Sequence, residues 1–215
     1  MRYRRPPVPR IKVSTEEYLA FEAASAHRHE FVSGEICVMN GATVRHNLIT
    51  LNIAQRLRNA ARALRCRVVV ADVKLRVGPD RVYYPDVMVA CGQGQDGELV
   101  VEDPLLLVEV TSPSTQATDR REKLDAYQRL ASLRLYMVVD QRRRFVVVYA
   151  RDETGAWLRD EFQGAGDIPI PQFETIVTLD EIYDDVALPA LSVDEGEEWE
   201  DDDWSEEEVE ADWPD

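Results

Sequence analysis

Lysine is almost missing from this chain. Lys12, Lys74 and Lys123 are the only three, so chemistry that needs an amine has few places to find one. Cysteine is as scarce: Cys37, Cys66 and Cys91 lie far apart and none sits in C-x-x-C spacing. That argues against zinc ligands or a disulfide set and reads as three free thiols in a reducing compartment. No apolar run approaches the roughly 20 residues that span a bilayer. The start, Met1 to Arg10, is basic and proline-rich with no apolar stretch after it, unlike a signal peptide. Together these absences predict a cytoplasmic protein with no membrane partner. No internal repeat is present.

Bases of either kind stop at Arg159. Up to that point 25 Lys and Arg face 19 acids, a surplus of six, whereas the remaining 22 acids after it meet no base at all. The net charge of −16 therefore describes a mildly basic body joined to an acidic end. The body suits a polyanion and the end repels one. From Asp194 to Asp215 there are 14 acids in 22 residues, with Trp199, Trp204 and Trp213 among them. Such a block is expected to be disordered. It reads as a solubility tail, or as a segment that lies over the chain's own basic face or docks a protein partner. The expected division is an extended arm over residues 1–13, one domain over 14–191 and an acidic tail over 192–215.

Along the body, Ser14-Thr15-Glu16-Glu17 fits a capping box opening a short helix to about Ser25. His29 to Met39 reads as two strands around Ser33-Gly34. Between Thr43 and Leu64, Leu48, Leu51, Ile53, Ala54, Leu57, Ala61 and Leu64 recur at helical spacing. Cys66 to Val77 reads as further strands, and Val69, Ala71, Val73, Leu75 and Val77 alternate there, which suggests one buried face. Gly78-Pro79-Asp80 then turns this stretch into a hairpin with the run that carries Asp86. Gly92 to Gly97 matches the letters G-x-G-x-x-G, but a short proline-ended segment follows instead of a helix, so it reads as a loop. Arg134–Asp140 and Phe145–Ala150 are apolar strands around a basic turn, Gln141-Arg142-Arg143-Arg144. Trp157–Phe162 and Phe173–Val177 read as further strands, and Leu179–Tyr183 as a helical turn.

Two apolar runs each carry one acid where an acid is costly. Asp86 sits in Val82–Ala90 and Glu109 in Leu105–Ser112. Runs of this kind read as strands buried on both faces, and an ionised carboxylate there needs a partner. A divalent cation shared by both acids meets that need, and so does an arginine for each. Ser112-Pro113-Ser114-Thr115 is then a turn, because Pro113 cannot continue a central strand. Asp119-Arg120-Arg121-Glu122 opens a helix in capping-box fashion, with Asp119, Lys123 and Tyr127 on one side. Its basic first turn suits a bound phosphate, or is simply a solvated charged face.

These motifs resemble the Uma-two family of the restriction-endonuclease-like, PD-(D/E)XK superfamily. The likeness is carried by Pro85-Asp86-Val87, Val108 to Thr115, Asp119-Arg120 with Lys123-Leu124 and Tyr127, and Tyr136 to Asp140. It extends upstream to Glu30–Glu35 and His46 and covers roughly residues 14–185. It implies an α/β (α+β) restriction-endonuclease-like fold, a central mixed β-sheet flanked by helices. It also implies Mg²⁺- or Mn²⁺-dependent hydrolysis of DNA, and a homodimer. By resemblance Asp86 and Glu109 are metal ligands, with the Val110 carbonyl able to face the ion, and Glu30 is a candidate additional carboxylate. The superfamily lysine two positions after the glutamate is absent, since Thr111 stands there. Lys123 is the candidate for that amine, with Lys74 in reserve and Tyr127 and Asp119 as neighbours. Leu135 stands where an acid is expected. Arg120, Arg121 and His46 are candidates for contacting DNA. The rival readings are a catalytically inactive nuclease-fold binding module and a structural core whose acids pair with arginine.

Overall fold

A computed structural model describes residues 12–39, 41–92, 94, 97–111 and 119–189, with backbone only at 119 and 120. The acidic tail, most of the arm, the Ser112–Thr115 turn and the side chains of Asp119 and Arg120 lie outside the described residues. Helix α1 spans Thr15–Ala24, and Ser14 and Glu17 form the capping box that the sequence predicts. The expected hairpin follows as β1 (His29–Val32) and β2 (Glu35–Val38). Helix α2 runs Val44–Ala61, capped by Thr43 and closed by a 3₁₀ turn at Arg62–Leu64.

The strands expected between Cys66 and Val77 are two, and the alternation from Val69 to Val77 runs across both. β3 (Cys66–Val70) and β4 (Lys74–Val77) belong to different sheets. Between them Ala71 and Asp72 take φ of 40° and 51°, a left-handed region that non-glycine residues seldom visit. Two such residues turn the chain from one sheet to the other, and nothing in the hydrophobic alternation marks the break. The Asp86 run divides likewise into β5 (Arg81–Tyr83) and β6 (Val87–Cys91), with Pro85 in the gap. β4 and β5 form the predicted hairpin, but Asp86 lies beyond it, where the chain crosses between sheets.

The remaining strands are β7 (Val100–Val101), β8 (Pro104–Thr111), β9 (Leu135–Asp140), β10 (Phe145–Arg151), β11 (Trp157–Gln163), β12 (Asp167–Ile170) and β13 (Thr175–Thr178). β12 escapes the sequence reading because Pro169 interrupts its pattern. The main sheet has the order β11-β10-β9-β8-β6-β3 and is mixed, since β8 and β9 are parallel and their outer neighbours antiparallel. A smaller sheet has the order β2-β1-β5-β4-β7, and β12 and β13 form a ribbon. Leu179–Ile182 makes a last helical turn, α4, with its own capping box at Thr178 and Glu181.

Both faces of the main sheet are covered, which is why β8 and β9 read as continuous apolar runs. On one face Val87, Leu106, Val108 and Val139 pack against Ile49, Ile53 and Leu57 of α2 and against Ile168, Leu179 and Ile182. On the other, Met88, Leu107, Tyr136 and Val138 meet Leu75, Tyr83, Leu124 and Tyr127. By the strand's alternation Glu109 falls on this second face, two residues from Leu107. Among the described residues no helix is long and apolar enough to cross a membrane.

One expectation fails outright. Cys66 and Cys91 are disulfide-bonded, with Cα atoms 4.1 Å apart, and only Cys37 is a free thiol. The antiparallel register of β3 and β6 sets Cys66 directly opposite Cys91. A separation of 25 residues carries no hint of that pairing.

Candidate active site

The site assembles at the C-terminal end of β8. Glu109 is 4% exposed, and its Oε1 accepts from Lys123 Nζ at 3.1 Å and from the Tyr127 hydroxyl at 2.7 Å. Lys123 is 5% exposed and its ammonium also lies 2.9 Å from Glu30 Oε1. An amine from the segment after β8 thus stands between two carboxylates, one from each sheet. Glu30 is held in turn by the Tyr84 amide at 3.5 Å.

Lys123 arrives there by an unexpected local structure. The predicted regular helix opens with a π-type turn, Asp119–Lys123, and only Leu124–Gln128 is α-helical, here α3. Asp119 lies within that turn instead of capping it. Such wide turns recur at functional sites because they re-aim side chains. Here Glu122 reaches the Tyr83 hydroxyl at 2.5 Å, with the Arg81 guanidinium 3.6 Å away, while Lys123 turns inward. Burial, followed by the charge of Glu109, pushes the Tyr127 phenol well above its ordinary range, so it stays a hydrogen-bond donor. Burial and the bond to Glu122 raise Tyr83 in the same way.

Asp86 sits beside the same strand end. Its Oδ2 accepts from the Val110 amide at 2.7 Å and lies 3.2 Å from His46 Nε2 at the start of α2. Val87, the first residue of β6, pairs with Val108, so Asp86 immediately precedes β6 and Glu109 follows Val108 along β8. The backbones of the two acids therefore lie at the same end of this strand pair. Burial alone lowers the His46 pKa, but the bond to Asp86 and its charge outweigh this, and the net shift is upward. His46 Nδ1 is buried without a hydrogen-bond partner.

The other sequence candidates fall as follows. Lys74 stands on β4 with its ammonium 5.5 Å from the Tyr84 ring centroid, on the smaller sheet. Arg121 is exposed on the π-type turn. Val110 contributes its amide to Asp86. Two polar residues escape the sequence reading. Gln141 is buried and ties the Thr111 carbonyl to the Thr43 hydroxyl, at 3.2 and 2.8 Å. Glu22 is 2% exposed and accepts from the Tyr84 hydroxyl and the His29 amide, with His29 Nδ1 at 2.9 Å. Gln141 follows a strand ending in Asp140, a polar pair that is the only signal it offers. Glu22 falls where the first helix turns inward against Tyr84.

The profile of the Uma2 family, described as "Putative restriction endonuclease", matches residues 15–180. The chain belongs to the Uma2 family. This Uma2 chain is 29% identical over 185 residues to the uncharacterized protein slr1290 of Synechocystis sp., covering 85% of the chain and 97% of that protein. It is 30% identical over 156 residues to the uncharacterized protein sll1609 of the same organism, covering 71% and 88%. Its fold matches the crystal structure of a "putative nuclease" from Anabaena variabilis with a TM-score of 0.66. That match has 16% identity and covers 80% of the Uma2 chain and 97% of the other. The fold is thus the restriction-endonuclease-like one, a mixed α+β architecture.

The oxygen donors of Asp86 and Glu109 are of the hard type that magnesium and manganese take. Among the described residues no three His, Cys, Asp or Glu side chains form a cluster able to hold a metal by themselves. The donor set present fits a cation that retains part of its water shell and needs one or two carboxylates.

Proposed function

We propose that this protein is a metal-dependent DNA endonuclease. The observation that carries the reading is the Lys123 ammonium placed 3.1 Å from Glu109 and 2.9 Å from Glu30. An amine and carboxylates converging at a sheet rim are what phosphodiester hydrolysis requires. Asp86 and Glu109 would hold Mg²⁺ or Mn²⁺, which when bound activates water and offsets phosphate charge. Lys123 supplies a fixed positive charge for the charge developing on the phosphate. Tyr127 holds Glu109 in place from beneath, and His46 and the Val110 amide orient Asp86. Glu30 sets the position of the amine from the opposite sheet.

A second reading, a nuclease fold retained for binding alone, is favoured by one observation. The Lys123 ammonium already contacts both Glu30 and Glu109, so each has a cationic partner without a metal. A cleavage assay on plasmid and linear DNA with Mg²⁺, Mn²⁺ or chelator, comparing wild type with Asp86→Ala, Glu109→Ala and Lys123→Ala, separates the two. The nuclease reading expects metal-dependent cleavage that each substitution reduces by at least about 100-fold, the scale of losing a principal electrostatic group. No cleavage by wild type under any of these conditions leaves the binding reading.

A further inference from the structure

The basic turn between β9 and β10, Gln141 to Arg144, has no part in the chemistry above. We propose that it is a docking surface for the sugar-phosphate backbone of a nucleic acid, with Arg142 and Arg143 as its contacts. The proposal rests on the nuclease reading only for what the bound strand is there to do.

Position is the first argument. β8 and β9 are parallel, Glu109 pairs with Val138 and Thr111 with Asp140. The turn therefore leaves the sheet from the same end as the candidate site, where parallel strands commonly present ligands. With strands ~4.8 Å apart and ~3.3 Å per residue, the Arg142 backbone lies about 14 Å or less from that of Glu109. At ~3.4 Å of axis per nucleotide that is roughly four phosphates from the reacting bond.

Construction is the second argument. Gln141, 5% exposed, bolts the turn to the end of β8 and to the N-cap of α2 through Thr111 and Thr43. Asp140, 4% exposed, accepts from the Arg142 amide at 2.8 Å and from Arg143 Nε at 3.2 Å. The Tyr183 hydroxyl donates to the Asp140 carbonyl at 2.7 Å and accepts from the Phe145 amide at 3.1 Å. The Arg143 guanidinium lies 4.5 Å from the Phe145 ring centroid. The bond from Nε fixes the direction of the planar Arg143 guanidinium.

Charge is the third. Consecutive arginines repel one another, and the bonds to Asp140 hold this backbone in place despite that repulsion. The neighbouring first turn of α2 contains no acid and carries Arg45. The site itself is lined by Glu30, Asp86 and Glu109, which repel a phosphodiester. A polyanion approaching those acids needs cations outside the site, and this turn supplies them.

The test uses the full chain in chelator, with a 20-base-pair duplex and a single strand of the same sequence, measuring affinity against NaCl concentration. Each duplex phosphate contact contributes about 0.9 to the slope of log affinity against log salt, so Arg142→Gln/Arg143→Gln should lower its magnitude by about 1.8. Arg142→Lys/Arg143→Lys should keep the slope, which guards against a merely misfolded double variant. Hydrolysis of bis(p-nitrophenyl) phosphate, which has no backbone to grip, should be equal in wild type and both double variants. An unchanged slope in the Gln variant overturns the proposal. So does a wild type that binds poly-glutamate but neither oligonucleotide, since the surface then serves an acidic polypeptide. If the slope falls as expected while no form hydrolyses a phosphodiester, the docking surface stands and the nuclease reading fails.

Discussion

Replacing Lys123 by methionine removes the positive charge that lies between Glu30 and Glu109 while keeping the stem's volume. The ammonium makes contacts of 2.9 and 3.1 Å to carboxylates that are themselves little exposed. Breaking a buried pair from one side leaves an uncompensated charge and costs about 3–5 kcal/mol. For a domain of this size each kcal/mol moves the melting temperature by about 2–4 °C, so a drop on the order of 10 °C is expected in chelator. If that penalty is electrostatic, Glu109→Gln should offset it, because the amide removes the orphaned charge. The double variant Lys123→Met/Glu109→Gln should therefore be more stable than Lys123→Met alone, with coupling of at least about 1 kcal/mol in a denaturation cycle. Mg²⁺ should raise the melting temperature of Lys123→Met more than that of wild type, since a cation can take the vacated charge role. Additive single effects, with no Mg²⁺ dependence in either protein, would refute this account of the site.

Three further outcomes follow from other parts of the fold. Thiol titration of the folded chain should count one reactive cysteine, Cys37, before reduction and three after it; closing a loop of 25 residues contributes ~3.5 kcal/mol, so denaturation should shift accordingly on reduction. Folding raises the His46 pKa above its ordinary value of 6.5, so its pairing with Asp86 stabilises fully below 6.5 and that contribution fades as pH rises through the raised value. In metal-free protein His46→Asn should flatten stability against pH in that window, and an unchanged profile would remove the pair from the account. Tyr183→Phe removes the buried hydroxyl that donates to the Asp140 carbonyl and should cost about 1–3 kcal/mol in urea denaturation.

Much of the framework was legible in one dimension. The capping box at Ser14, the helical span of α2, the hairpin around Ser33-Gly34 and the unbroken apolar runs of β8 and β9 all appear where their patterns point, although Leu51 and Leu64 of the apolar set expected on α2 and its closing turn are exposed. These are local features, and local propensity together with burial on one or two faces decides them. The readings that failed depend on where the chain changes sheets. Ala71-Asp72 and Pro85 each divide a run that looks continuous, because alternation reports which residues are buried but not against which layer. Cys66 meets Cys91 for the same reason: register is a property of two strands, and neither segment encodes it alone.

The amino-acid order was enough to mark Asp86 and Glu109, since an acid inside an apolar run must find a counter-charge wherever the run is buried. It also left Lys123 as one of very few amines available. Tertiary structure decided who answers whom. The π-type turn carries Lys123 to Glu109 and across to Glu30, α2 carries His46 to Asp86, and Gln141 joins three elements that lie far apart along the chain. Those partnerships are set by the relative placement of two sheets and a helix, and only long-range packing determines that placement.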